Sequence, residues 1–346
     1  MAFSAIIKPT DYFNTKLYTG NGSTNAITGV GFQPDFVWQK SRSNAEGHGL
    51  FDVLRGVTNR IQSNTLNAES SVAGSLQSFD SDGFTVGNDV GANGNGQTFA
   101  SWNWKANGQG SSNTEGSINT TYTSANTTSG FSIIQYTGNA TASATIGHGL
   151  GKIPTMIIFR RYAQAENWDV YHQAIGNAKS IRLNETGAAF DNATALTSTT
   201  PTSNLITLGT SVTTNANGNP MIAYCFADVQ GFSKMGSYIG NGNADGTFVY
   251  TGFKPAFVMT RPSSGVGSWY MLDNKRANPF NVVTGRLEAD GSGAENTGFT
   301  WCDFTSNGFK IRTTEGGINA SGVTFIYMAF AEEPLVSTNG NAATAR

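Results

Sequence analysis

Three histidines, two cysteines and a scatter of carboxylates are the side chains with which this chain could do acid–base, nucleophilic or metal chemistry. A zinc site needs closely spaced ligands, as in His-Glu-x-x-His, whereas His48, His148 and His172 lie far apart in sequence and at non-equivalent places in the repeats described below. Glycan hydrolysis needs two carboxylates facing each other at a set separation. Asp52, Glu69, Asp80, Asp82, Asp169, Glu185, Asp273, Glu288, Asp290, Asp303 and Glu315 are available by type, but no spacing marks a pair. Such residues in loops form turns or a solvated rim. A Gly-x-Ser-x-Gly nucleophile elbow is missing. The run Gly147-His148-Gly149-Leu150-Gly151 lacks the Gly-Lys-Ser/Thr ending of a phosphate loop and matches the turn at Gly29-Val30-Gly31. Cys225 and Cys302 sit in apolar surroundings that read as buried strand, where a thiol is a small inert hydrophobe. The expectation is a protein that is not an enzyme, with no catalytic residue, cofactor or metal.

Binding by stacking is the chemistry that the composition favours. Sugar rings pack their C–H faces on aromatic planes, and neutral Asn, Gln and Thr bond hydroxyls without the cost of desolvating a charge. Trp38, Trp168, Tyr171, Trp269 and Tyr270 recur beside one modular element and are the candidate ligand-binding residues. A two-sheet core would place aromatics at the same positions, so core filling is the competing reading for each.

The elements that must position them come in three copies. The first begins Tyr18-Thr19-Gly20-Asn21 and continues Gly31-Phe32-Gln33-Pro34-Asp35-Phe36-Val37-Trp38. The second has Tyr136-Thr137-Gly138-Asn139, then Gly151-Lys152-Ile153-Pro154-Thr155-Met156. The third has Tyr238-Ile239-Gly240-Asn241, then Gly252-Phe253-Lys254-Pro255-Ala256-Phe257. The Gly-x-x-Pro element suits a loop entering a strand, because proline has no N–H to give a ladder. A strand-like element follows as Leu50-Phe51-Asp52, Trp168 to His172 and Trp269 to Asp273. Asp82-Gly83 and Asn307-Gly308 predict hairpins with type I′ turns. The corresponding slot of the second copy, Ser203 to Leu208, has drifted. Each copy closes on an alternating strand: Phe99 to Trp104, Met221 to Phe226, Phe325 to Phe330.

Period-two alternation with frequent Gly and Asn breaks predicts an all-β chain of three tandem, divergent β-sandwich modules of jelly-roll or lectin-like type. The modules are expected over 13–106, 128–230 and 231–336, with an N-terminal arm over 1–12, a polar linker over 107–127 and a tail over 337–346. The second and third modules, joined tightly near Gln230-Gly231, are expected to pack as a unit. In the arm, Phe3, Ile6, Ile7, Tyr12 and Phe13 are too apolar for a free terminus. They either pack on the first module or dock on a partner chain.

Of 346 residues, 42 are glycine, and 21 Lys+Arg stand against 23 Asp+Glu for a net charge of −2. The charged share of 13% is about half the roughly 25% of an ordinary folded chain. Such a chain has no basic face to neutralise phosphates, which excludes nucleic acid as an expected partner. No apolar run reaches the roughly 18 residues of a membrane span. The first residues lack the basic start and long apolar run of a signal peptide, so synthesis without export is expected.

The opening Lys8-Pro9-Thr10-Asp11-Tyr12-Phe13-Asn14-Thr15-Lys16-Leu17-Tyr18-Thr19-Gly20-Asn21-Gly22, followed by Ile27-Thr28-Gly29-Val30-Gly31-Phe32-Gln33-Pro34-Asp35-Phe36-Val37-Trp38-Gln39-Lys40, resembles a bacteriophage domain family. Its members occur among tail and fibre proteins of phages of marine bacteria and cyanobacteria. The resemblance runs through the repeats and is weakest in the second, where Ile153-Pro154-Thr155 replaces Gln-Pro-Asp. It implies a virion structural protein made in the host cytoplasm: a tail fibre or fibre-associated adhesin touching host-surface glycan. Other virion proteins are the implied partners, and a homotrimer the implied assembly. A capsid decoration protein without ligand is the alternative, and a polysaccharide depolymerase the third reading.

Overall fold

The tyrosine, glycine and asparagine of each repeat opening are explained by one local device. In the computed structural model, which describes Ser4, residues 6–276 and residues 281–334, each opening closes on a one-turn helix late in its own module. These helices are α1 (Val90–Asn93), α3 (Val212–Asn215) and α4 (Gly316–Asn319); α2 (Ala193–Leu196) is an extra turn in the second module. The last residue of each turn, Asn93, Asn215 or Asn319, is buried and accepts the N–H of Asn21, Asn139 or Asn241. The tyrosine hydroxyls donate to the carbonyl just before that asparagine: Tyr18 to Ala92, Tyr136 to Thr214 and Tyr238 to Ile318. A Cβ at Gly20, Gly138 or Gly240 would run into the backbone of the same turn, so the glycine marks a close approach.

The first module contains β1 (Phe13–Thr19), β2 (Asn25–Thr28), β3 (Phe36–Ser41), β4 (Gly49–Asp52), β5 (Asn59–Arg60), β6 (Ser70–Ser71), β7 (Leu76–Asp80), β8 (Gly83–Val86) and β9 (Thr98–Trp104). The large sheet runs β1-β9-β3-β4 and the small one β2-β8-β7. Next come β10 (Tyr122–Asn126) and the second module: β11 (Phe131–Thr137), β12 (Ala144–Gly147), β13 (Pro154–Arg161), β14 (Asp169–His172), β15 (Lys179–Arg182), β16 (Phe190–Asp191), β17 (Leu205–Leu208) and β18 (Pro220–Ala227). Its large sheet runs β10-β11-β18-β13-β14-β15-β16, and β12 pairs with β17. The third module has β19 (Ser233–Ile239), β20 (Phe248–Tyr250), β21 (Phe253–Pro262), β22 (Tyr270–Asp273), β23 (Leu287–Glu288), β24 (Cys302–Thr305), β25 (Gly308–Ile311) and β26 (Thr324–Pro334). Its sheets run β19-β26-β21-β22-β23 and β20-β25-β24. The fold is all-β, of β-sandwich type.

Between its two sheets each module has its own core, and the outer faces of the three large sheets meet in a further shared one. Every residue of β3, β4, β14 and β22 is therefore buried. Equivalent residues Trp104, Phe226 and Phe330 meet at the centre as three edge-to-face pairs with ring centroids 6.2, 5.7 and 6.0 Å apart, the geometry that aromatic quadrupoles favour. The chain is thus a pseudo-trimer of its own modules, and all three, rather than the second and third alone, pack as a unit.

Several expectations are corrected. The 107–127 linker is an ordered part of the second module: β10 pairs with β11, and Ile118 enters that module's internal core. The hairpins β7–β8 and β24–β25 form, but their two-residue loops are Ser81-Asp82 and Ser306-Asn307, none of which has positive φ. Gly83 and Gly308 instead open the return strands, where a Cβ would run into Ile27 O or Val249 O of the neighbouring strand. Pro255 lies within β21 at a register shift rather than in the loop before it.

Candidate ligand-binding cleft

The residues expected to bind ligand hold the modules together instead. Trp168 and Trp269 are buried, and each donates its indole N–H to a carbonyl of the preceding module, at Gln62 and Arg182, both at 2.9 Å. Arg160 and Arg261 lie over these indoles at 5.3 and 5.2 Å from the ring centres. In the first module the same place is taken by His48, whose Nε2 meets Glu288 O of the third at 2.8 Å. Trp38 donates to Nδ1 of that histidine, which makes Nε2 the protonated nitrogen. Tyr171 and Tyr270 face inward into the cores of their own modules. Burial pushes the Tyr270 phenol up to about 12. All five aromatics are core, because both faces of the large sheets are covered where they stand.

A second ring of contacts follows the same rotation. Tyr224 Oη donates to Asp52 Oδ2 at 2.7 Å, Trp102 Nε1 to Asp273 Oδ2 at 3.0 Å, and His172 Nε2 to Tyr327 O at 3.1 Å. Asp52 and Asp273 also pair with Arg55 and Arg276, each at 2.6 Å and fully buried. These carboxylates are the partners of arginines buried at module junctions. Burial holds His48 down at about 3 and His172 at about 4. Among the described residues no cluster of three or more His, Cys, Asp or Glu is placed to hold a metal ion.

Of the arm residues expected to dock on a partner, Ile6, Tyr12 and Phe13 pack within the chain. Ile6 is buried in the shared core, Tyr12 meets Phe232, and Phe13 stacks on Phe330 at 4.8 Å. Ile7 is 65% exposed, and Phe3 lies outside the described residues.

What the modules do not share is the open side of each sandwich, where the first strands of the two sheets run side by side. In the third module this side is a cleft of about 470 Å³ between β19 and β20, lined by Lys234, Ser237, Ile239, Thr247, Phe248 and Tyr250 among others. Phe248 and Tyr250 are 45% and 53% exposed, while Val249 between them is buried, as the two-residue period of a strand requires. The Lys234 ammonium lies 5.7 Å from the centre of the Tyr250 ring. Registers with the returning strand make Val249 equivalent to Ile27 and Ile146. Phe248 and Tyr250 therefore stand where the first module has Ala26 and Thr28, and the second Thr145 and Gly147. In the second module the place is taken by the chain itself. Ile118 N–H donates to Thr145 O, Ser117 N–H to the Thr145 hydroxyl, and a Cβ at Gly147 would run into Asn113.

Sequence reasoning missed Lys234, Phe248 and Tyr250 because it weighed aromatics that recur. The available signal was the opposite one: aromatics at a position where the other two copies are small.

The molecule is an all-β protein of three sandwiches closed around a shared core, with an aromatic cleft on one of them. The chain belongs to the DUF7483 family, a domain of unknown function whose family model matches residues 8–334. No curated protein and no solved structure matches it.

Proposed function

We propose that the protein is a phage virion-surface adhesin that holds a host-surface glycan in the β19–β20 cleft and catalyses no reaction. The observation that carries this reading is the pair Phe248 and Tyr250, exposed on one strand beside a cleft, at positions where the first module has only Ala26 and Thr28 and where the second is filled by its own chain. Two aromatic planes on one strand, flanked by the neutral hydroxyls of Ser237 and Thr247, match a sugar's C–H faces and hydroxyls. The sequence resemblance to phage tail and fibre domains supplies the setting, and other virion proteins are the partners it implies. The low charge count suits a surface exposed to variable salt, because few of its contacts weaken by screening. Weak single-site affinity would be multiplied by many copies on one particle.

Adsorption of the purified chain to host cells, with a glycan array alongside, tests this. Saturable host-specific binding that Tyr250→Ala and Phe248→Ala remove is the expected result. Binding to virions but not to cells or glycans would favour the decoration reading. Release of reducing sugar from host polysaccharide would favour the depolymerase.

A further inference from the structure

We infer that the edge of β1 is a docking site for an extended segment of a partner protein, which adds to the first module as a further strand and sets a carboxylate opposite Lys16. Three equivalent edges, β1, β11 and β19, are treated differently. In the second module β10 covers the edge, with Ser124 opposite Ile133. In the third module side chains block it: Met235 N–H donates to Asp228 Oδ1 at 2.9 Å, and Gln173 Nε2 donates to Met235 O at 2.7 Å. Such blocking is how proteins keep an edge from pairing.

At β1 neither device is present among the described residues. Tyr12 O accepts the N–H of Lys105, so strand alternation turns the N–H and C=O of Thr15 and Leu17 away from β9. The Thr15 hydroxyl, on a residue only 4% exposed, has no hydrogen-bond partner. Asn274 holds the position equivalent to Gln173, and its Oδ1 is buried without a partner as well. A cleft of about 360 Å³ runs along this edge, lined by Thr15, Lys16, Leu17 and Lys275 among others. Buried polar atoms rarely stay unpaired.

The chemistry of the edge selects the occupant. Thr15 and Leu17 present donors and acceptors in alternation, a pattern that an anion meets only in part and that another extended backbone meets in full. The charge comes from Lys16 and Lys275. Lys8, Lys179, Lys254 and Lys310 have carboxylate partners, whereas among the described residues Lys16 and Lys275 have none within ion-pair distance. Asp82 senses the charge of Lys16, but its carboxylate already accepts the N–H groups of Gly29 and Gly31 at 2.9 and 2.7 Å. An acidic residue of the docked strand directly opposite Lys16 would share its face of the sheet and supply the missing charge. A second copy of β1 is the wrong partner. Pairing Thr15 with Leu17 of that copy sets Lys16 opposite Lys16, and like charges so placed destabilise a sheet.

Hydrogen exchange of the Thr15 and Leu17 amides in the full chain tests the docking, with two blocked peptides of alternating Thr and Val as probes, one with a central Glu and one with a central Lys. The Glu peptide should slow both amides saturably, by about tenfold or more, and leave the Ser237 amide unchanged. The Lys peptide should do neither. Lys16→Glu combined with Lys275→Glu should reverse the preference, with an unchanged Ile118 amide as the mark of an intact fold. Two peptides that act alike, or no effect of either, would overturn the proposal. Amides already slow before peptide is added would assign the edge to the chain itself. Slowing that grows with protein concentration, together with a dimer in light scattering, would assign it to a second copy, and either result overturns the proposal too.

Discussion

The centre of the molecule and its rim obey different rules. At the centre, three large sheets must close on one another, and each junction keeps its geometry even where residue type has drifted. His172 stands in for Asp52 and Asp273: its Nδ1 accepts the N–H two residues on, as their Oδ1 atoms do, and its other end reaches the next module. His48 stands in likewise for Trp168 and Trp269. At the rim, the equivalent edges carry a strand at β11, two blocking side chains at β19 and, among the described residues, neither at β1. Closure constrains the centre, while the rim is free to vary, and the departure from three-fold repetition on which the proposed function rests lies there.

The largest effect is expected from breaking a central junction. Asp52→Ala leaves the Arg55 guanidinium buried without its fully buried carboxylate, and the Tyr224 hydroxyl without its acceptor. A loss of roughly 3–5 kcal/mol is expected, toward the low end because Glu69 still pairs with Arg55 at 2.8 Å. Denaturant unfolding measures it, and a loss no larger than that of a rim substitution would remove the distinction between centre and rim.

Acid should attack the same region. Burial holds the folded His48 and His172 at about 3 and about 4, below the unfolded value of about 6.5. The unfolded chain therefore binds protons first as pH falls. The stability these groups lend is complete above pH ~6.5 and declines by up to ~1.4 kcal/mol per unit and per histidine toward the folded values. Unfolding followed between neutral pH and pH ~4 should show that slope, and His172→Gln should reduce it by one proton. A slope unchanged by the substitution would mean that His172 is not the group titrating.

A smaller effect is expected where the rim is filled. A side chain at Gly116 would run into Thr145 O and the Ile146 backbone. Gly116→Val should lift the filler from β12 at a cost of about 1–3 kcal/mol, and exchange of the Ile118 amide, bonded to Thr145 O at 2.9 Å, should accelerate. An Ile118 amide as protected as before would show that the filler is not held there.

Much of the fold was legible because the repeat is written in residues that the backbone demands. Tyr-x-Gly-Asn marks a loop that closes on a buried asparagine, and the closing strands alternate cleanly. The partner asparagines Asn93, Asn215 and Asn319, each followed three residues later by a glycine with positive φ, form a second repeat that was there to be read. Module packing was not legible. A strand buried on both faces still alternates between two cores, so Trp168 and Tyr171 read alike although one faces the centre and the other its own module. The 107–127 stretch misled for a related reason. An edge strand in which only Tyr122 is large, the rest being Thr, Ser, Ala and Asn, has nearly the composition of a linker, and only its pairing with β11 makes it structure.

The smallest change in stability and the clearest change in function should come from the open cleft. Phe248 and Tyr250 leave about half their surface in water, so truncating either to alanine should move stability by no more than about 0.5 kcal/mol while removing the proposed glycan binding. The reciprocal graft sharpens the contrast. Thr145→Phe with Gly147→Tyr copies the aromatic pair onto β12, but residues 113–118 already occupy that side. The graft should destabilise the second module and create no second binding site, whereas Ala26→Phe with Thr28→Tyr meets no such filler among the described residues of the first. Binding gained in the second module would show that aromatic placement alone, and not the open cleft, makes the site.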